Sequence, residues 1–363
     1  MSKLELILTA EGVDYTITNE NGAIMSFQMT DDVLSLGRRA NLEITPALTP
    51  ATAQGKQPVL TIFNAGNPVT VKTQDTTLLT GYIETVQNIF ENKKRKILIT
   101  LIDKVGYIQT GNPLKAGKVY KKTLLTTIFA RLLKDNGYND IAIETDLPLA
   151  SRSKLLLKED ATIKNGDTLG DFFDRYTNKL QLLYTSNAEG DLLITQEDTE
   201  ATEYGLQMID TGDTQGNNVI SRTFRNSIEN RFSSVIMYGA QKIDKTTTRA
   251  GLTIQEKATD NTAPVERTKI IQLQDSIEGT TARQYTRYLL NLSKSKAFIY
   301  ECKKQGWFWD DGSLVQSNKR VNINDIDIKG EFHIKDVTYN YNATEGMTCD
   351  ITILEKDVIT RNQ

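Results

Sequence analysis

Few residues in this 363-residue chain have the type and spacing that catalysis or metal binding demands. The scarcest is histidine, present once, as His333. One imidazole leaves no second for a zinc site and a single candidate for histidine acid–base chemistry. His333 falls in an expected strand, with Glu331 and Lys335 at same-face spacing, and reads as a solvated strand position. The two cysteines, Cys302 and Cys349, cannot build a disulfide framework or a thiolate metal site; both fall in strand segments and read as buried apolar residues. Glycosidase chemistry needs two carboxylates about 5 to 9.5 Å apart across a sugar cleft. The adjacent pairs Asp310-Asp311 and Glu197-Asp198 do not supply that, and Gly312 makes the first of them a turn. Trp307 and Trp309 alternate with Phe308 and so share a face that could stack on sugars or bases, although core or interface packing is the commoner use of such residues. The run Lys93-Lys94-Arg95-Lys96 could bind phosphate, but four cations at a hairpin tip are more simply a solvated loop. There is no phosphate-cradling glycine loop, dinucleotide fingerprint or nucleophile elbow. These residues therefore assign no catalytic, cofactor-binding or metal site.

The elements that would position them are mostly strands. Threonine occurs 45 times and proline only 7 times, a bias toward pleated, half-buried surfaces with few positions barred from pairing. Residues 1–111 alternate apolar and polar in short runs: Leu4, Leu6 and Leu8, then Val13, Tyr15 and Ile17, with a turn at Asn21-Gly22. Residues 46–58 read as a polar loop, and 78–90 with 96–105 as a hairpin joined by residues 91–96. Residues 112–200 change character. Leu125, Ile128, Phe129, Leu132 and Leu133 fall at helical spacing ahead of Gly137, and a second helix starts at Thr168, whose hydroxyl and Asp171 fit a capping box. A hairpin over 180–185 and 192–196 follows. Residues 201–363 return to strands at 233–239, 297–303, 332–341 and 347–354, with a polar, turn-rich stretch at 242–261 and a helix at 280–294. The alternation in 332–341 slips phase near Asp336, which predicts a β-bulge. No apolar run approaches the ~20 residues of a membrane helix. The first residues lack a basic region followed by an apolar stretch, so secretion is not expected. The net charge of −3 gives no global drive toward nucleic acid.

One motif resembles a binding module. Gly166-Asp167-Thr168-Leu169, following Ala161-Thr162-Ile163, is similar to the opening of a LysM unit, which binds peptidoglycan or chitin. A LysM unit continues into a second helix, whereas this chain passes from Asn178 straight into the strand at Leu180. The stretch reads instead as a strand, a turn and a capped helix inside a folded insert.

Several spaced segments, in order, resemble the baseplate hub protein of Mu-type contractile-tailed bacteriophages. Thr80-Gly81-Tyr82-Ile83-Glu84 followed by the strand 97–103 looks like that family's first barrel hairpin. Residues 182–194 (LLYTSNAEGDLLI), 228–240 (IENRFSSVIMYGA) and 292–311 (LSKSKAFIYECKKQGWFWDD) resemble its later segments. Leu101-Ile102-Asp103 departs from the family's usual Gly-Arg-Asp. The resemblance implies a mainly β chain with α+β insertions and two antiparallel, tube-like β-barrel domains flanking a small α+β domain. Its implied divisions are 1–111 for the first barrel, 112–200 for the α+β domain, 201–263 with 297–363 for the second barrel, and 264–296 for a helical insertion. It further implies a non-enzymatic virion component, assembled in the host cytoplasm and without cofactors. Three chains would form a ring joining the sixfold tail tube to the threefold central spike, touching other baseplate proteins and letting DNA pass unbound. The alternative carried by the LysM-like stretch is a peptidoglycan-binding or cell-wall-degrading tail protein.

Overall fold

The structure is a computed structural model that describes residues 3–10, 13–20, 23–45, 63–91, 94–109, 111, 114–121, 123–157, 160–180, 182–198, 204–208, 216–240, 253–272 and 279–356. The expected loop at 46–58 lies outside these residues. The chain divides into two compact units. The first comprises Met1–Thr195, Lys304–Ser317 and Asp336–Asp350; the second comprises Gln196–Lys303, Asn318–Lys335 and Ile351–Gln363.

The first unit opens with seven antiparallel strands: β1 (Leu4–Ala10), β2 (Val13–Thr18), β3 (Ile24–Asp32), β4 (Arg39–Ile44), β5 (Pro68–Thr73), β6 (Thr76–Glu91) and β7 (Lys94–Asp103). They pair in the order β3-β4-β7-β6-β5-β1-β2. The alternation seen in the sequence becomes the core: Leu4, Leu6, Leu8, Ile17, Ile97, Ile99 and Leu101 are all buried. The β6–β7 hairpin is longer than expected, because Phe90 pairs with Arg95 and Glu91 with Lys94. Charged residues at a hairpin end oppose neither pairing nor solvation, so the strands run on past the last buried position.

Helix α1 (Lys104–Gln109) then leads into the α+β portion: β8 (Val119–Tyr120), α2 (Leu125–Asp135), β9 (Ile143–Thr145), β10 (Ala161–Thr162), α3 (Leu169–Leu180), β11 (Leu183–Ser186) and β12 (Leu192–Thr195). All five apolar positions at helical spacing in α2 are buried. Its end is fixed by the Tyr138 N–H on the Leu133 carbonyl and the Gly137 N–H on the Lys134 carbonyl, with Gly137 left-handed at φ 89°. Helix α3 begins with the reciprocal cap: the Thr168 N–H donates to the Asp171 carboxylate at 2.9 Å, and the Asp171 N–H to the Thr168 hydroxyl at 3.2 Å. Between the helices, the Phe129 and Phe173 rings stack at 3.9 Å.

The second unit holds β13 (Gly205–Met208), β14 (Val219–Asn226), β15 (Ser234–Ala240), β16 (Thr253–Thr259), β17 (Thr268–Gln272), α4 (Gly279–Ala297) and β19 (Arg320–Asp325). The strands β18 (Phe298–Gln305), β20 (Lys329–Asn342) and β21 (Gly346–Glu355) each contribute residues to both units. The turn-rich reading of 242–261 needs correction, since β16 occupies its end and pairs with β15. Exposure does alternate along TIQEKAT, but its less exposed face carries Glu256, which pairs with Arg283 of α4 at 3.2 Å, so apolar alternation is broken by a polar residue. The phase slip in β20 coincides with a change of partner: His333 pairs with Arg320 of β19, whereas Asp336 pairs with Asp32 of β3. The observed architecture is mainly β and antiparallel, with an α+β portion between its β-rich ends in sequence, as expected.

Thr168→Ala removes one half of the α3 cap and should cost about 1 kcal/mol. Urea unfolding followed by circular dichroism should show a lower midpoint for Thr168→Ala and a near-normal one for Thr168→Ser; equal midpoints would show that the cap contributes nothing.

Candidate functional site

The residues singled out for sugar binding are spent inside the fold. The Asp167 carboxylate is buried, accepts from the Lys164 N–H at 2.7 Å and pairs with Arg175. Thr168 caps α3. Trp307 and Trp309 are buried too. The Trp307 indole N–H lies 3.0 Å from the Asn340 carbonyl and 2.9 Å from that of Thr348, and its ring packs 5.7 Å from both Phe27 and Tyr339. The Lys304 ammonium sits 5.4 Å over the Trp309 ring and donates to the carbonyls of Gln305 and Phe308 at 3.0 and 2.6 Å. Asp310-Asp311-Gly312 is a turn, with Gly312 at φ 84° and the Ser313 N–H on the Asp311 carboxylate. Cys302 and Cys349 are both free and buried, and burial pushes the Cys349 thiol up to about 12.

His333 departs from its expected place: it is fully buried, not solvated. Its cover comes from far away in sequence. Asn318 donates to the Gln196 carbonyl at 3.0 Å, Arg320 to the Asp198 carbonyl at 3.2 Å, and Lys319 pairs with the Asp198 carboxylate at 2.6 Å. Together they hold residues 196–198 down, with the buried Glu197 carboxylate 3.7 Å from the imidazole. Burial, aided by the Arg320 charge, lowers the His333 pKa to about 4, so the ring is neutral at pH 7. No group of three or more acidic, histidine or cysteine side chains among the described residues could hold a metal.

The first unit contains a polar centre that the sequence did not point to. Asp103, at the end of β7, is fully buried. Its carboxylate accepts from the Arg38 N–H and the Gly106 N–H, both at 2.6 Å, and from the Ser186 hydroxyl. Burial raises its pKa, and these three donors pull it back. The Arg38 guanidinium in turn lies 3.2 Å from Asp31 and donates to the Leu78 carbonyl at 3.0 Å, while Asp31 accepts from the Ser317 N–H at 3.3 Å. This approach requires glycine at position 37, which is left-handed at φ 82° and would place a Cβ 2.4 Å from the Gly106 Cα. With the acceptor sites of Asp103 occupied by two main-chain donors and a hydroxyl, the cluster joins the β3–β4 connection, the start of α1 and β11. It has the chemistry of a structural tie. The signal available in sequence was Asp103 itself, the one residue of Leu101-Ile102-Asp103 that keeps the Gly-Arg-Asp pattern from which that segment departs.

No family model and no curated protein matches the chain. Solved structures do. The 43 kDa tail protein of prophage MuSo2 from Shewanella oneidensis aligns over 98% of this chain and 99% of its own, with TM-score 0.77 and 19% identity. The tail protein from Neisseria meningitidis MC58 aligns over 99% and 98%, with TM-score 0.79 and 15% identity. The E. coli c3393 protein, a component of the type VI secretion system with structural similarity to the T4 tail proteins gp27 and gp5, aligns over 97% of this chain and 78% of its own, with TM-score 0.59 and 11% identity. The chain has the fold of a phage tail protein. Its mainly β, barrel-like construction is what the resemblance to the Mu-type hub implied.

Two measurements test this account of the buried groups. Asp103→Ala strands two amides and a hydroxyl and should cost about 3 kcal/mol in urea unfolding, since each buried unsatisfied group costs about 1–3 kcal/mol; a loss under 1 kcal/mol would remove the tie from the account. For His333, the unfolded chain titrates near 6.5 and the folded one near 4. Only the unfolded state binds the extra proton in that window, so stability is full above pH 6.5 and falls as pH drops toward 4, by at most about 1.4 kcal/mol per unit. The stability difference between the native protein and His333→Leu should carry that slope; a difference flat from pH 7 to 4.5 would contradict it.

Proposed function

We propose that the chain is the structural baseplate hub of a contractile phage tail. One observation carries the reading: the fold matches tail proteins end to end, over nearly the whole of both chains. The ordered segments that resemble the Mu-type hub support the finer assignment. In this reading residues 1–111 and 201–263 with 297–363 are the two tube-like barrels, 112–200 the α+β domain and 264–296 an insertion. Three chains then supply six barrels, so one ring offers sixfold-like contacts to the tail tube and threefold contacts to the central spike. Head-to-tail contacts close such a ring when each step turns 120°. DNA passes through a lumen that is not strongly basic, because every neutralised phosphate would add affinity that a conduit does not need. The protein works through its surfaces, as a virion component assembled in the host cytoplasm. The peptidoglycan-binding reading has no comparable support, with Asp167, Trp307 and Trp309 buried in internal contacts.

Light scattering coupled to gel filtration should give about 122 kDa for the chain alone, three times 40.7 kDa, or else a heavier complex that holds three copies of the chain once its purified spike or tube partner is added. Negative-stain images should show a three-lobed ring. A stable twofold dimer, or a chain that stays single beside those partners, overturns the assignment. Thiol titration of the denatured, unreduced protein should find both sulfhydryls, as cytoplasmic assembly requires; finding neither would reject that step.

A further inference from the structure

Asparagine followed by glycine is the dipeptide at which a chain most readily attacks its own side chain, because glycine has no Cβ to hinder its nitrogen. The sequence holds three such pairs: Asn21-Gly22, Asn136-Gly137 and Asn165-Gly166. The first lies outside the described residues. The other two are exposed, and both place glycine in the left-handed region, at φ 89° and 83°. They differ in what holds the reacting atoms.

Asn136 ends α2, and both of its reacting groups are engaged. Its side-chain amide donates to the Leu132 carbonyl at 2.8 Å, and the Gly137 N–H donates to the Lys134 carbonyl at 3.1 Å. Asn165 and Gly166 are the central residues of the turn before α3, closed by the Asp167 N–H on the Lys164 carbonyl at 3.3 Å. Among the described residues, neither the Asn165 side chain nor the Gly166 N–H has a hydrogen-bond partner. A Cβ at position 166 would meet nothing within 4 Å, so the side-chain amide has room to swing onto the nitrogen.

We propose that Asn165 is a modification site, where spontaneous deamidation replaces the amide with a carboxylate and in part reroutes the backbone. The Gly166 nitrogen attacks the Asn165 Cγ. The new C–N bond closes a five-membered imide, the Cγ–Nδ2 bond breaks, and ammonia leaves with the proton the glycine amide gives up. Water then opens the imide at either carbonyl. Opening at Cγ leaves aspartate. Opening at the main-chain carbonyl leaves isoaspartate, whose chain runs on through Cβ and Cγ and is one carbon longer.

The two products differ in consequence, because the same turn seats Asp167. Its buried carboxylate accepts from the Lys164 N–H at 2.7 Å and pairs with Arg175 of α3. Aspartate at 165 keeps the spacing between these groups. Isoaspartate inserts a carbon between Lys164 and Asp167, so amide and carboxylate lose register and the start of α3 is loosened.

The test incubates the full chain at mildly alkaline pH and follows each site by peptide mapping, which separates aspartate from isoaspartate. In the folded chain Asn165 should react at least about tenfold faster than Asn136, where two hydrogen bonds must break first. In denaturing urea the two sites should react at similar rates, since they share the dipeptide. An equal ratio of rates in folded and unfolded chains overturns the proposal, as does faster reaction at Asn136. The aged chain should also develop a population with a lower urea midpoint, absent from Asn165→Gln aged alongside, while fresh Asn165→Asp keeps the native midpoint. Isoaspartate at 165 with an unchanged midpoint overturns the loosening of α3.

Discussion

The first unit is organised around a carboxylate that has been taken out of water. A buried aspartate is tolerated only when donors replace its hydration, and Asp103 has three. Two of them are main-chain amides, so the requirement falls on the path of the backbone more than on neighbouring side chains. Residues 37–38 and 106 must come to within hydrogen-bond reach of one point, which is why Gly37 has no room for a Cβ. The third donor, Ser186, brings in β11. Strand sheet and α+β portion of this unit thus meet at one anion, and moving any of these segments would leave a buried charge short of a partner.

That dependence also explains how Leu101-Ile102-Asp103 can stand where the resembling family has Gly-Arg-Asp. Leu101 and Ile102 are buried in the sheet, pairing with Ala40 and Arg39 of β4, so the two altered positions are filled by packing. The aspartate, which meets the backbone, is the residue the two patterns share. A tie made to main-chain amides tolerates wide divergence around it, because an amide is present whatever side chain a position carries.

What was legible in the sequence is what local physics determines. Helices α2 and α3 showed their periodicity, their caps and their buried faces, since each signal lies within a few residues. The early strands showed theirs by period-two alternation ahead of a single core. What was hidden depends on distant cover. His333 looked solvated because Glu331 and Lys335 flank it, and nothing nearby announces that residues 196–198 are pinned over it by Asn318, Lys319 and Arg320. Strand β16 looked like a loop because Glu256 stands on its less exposed face, held there by Arg283 of α4 from a distant part of the chain. The Asp31–Arg38–Asp103 cluster was hidden for the same reason, being assembled from three separate stretches of chain.

The residue types that first suggested ligand chemistry share a fate that bears on function. An indole, a carboxylate and an imidazole are useful to a ligand only when they face it. Here the Trp307 N–H has two carbonyl acceptors, Asp167 has an amide and a guanidinium, and His333 is sealed neutral beneath a pinned segment. Each is satisfied by contacts within the fold. In such a chain, the groups available to partners are those the interior has not consumed: exposed side chains and unpaired strand edges. Strand edges are general acceptors of other strands, so a rigid β protein needs charge to decide which ones it admits. Among the described residues the β6–β7 arm has both, since Phe90 is exposed and positions 84–91 pair with β7 alone.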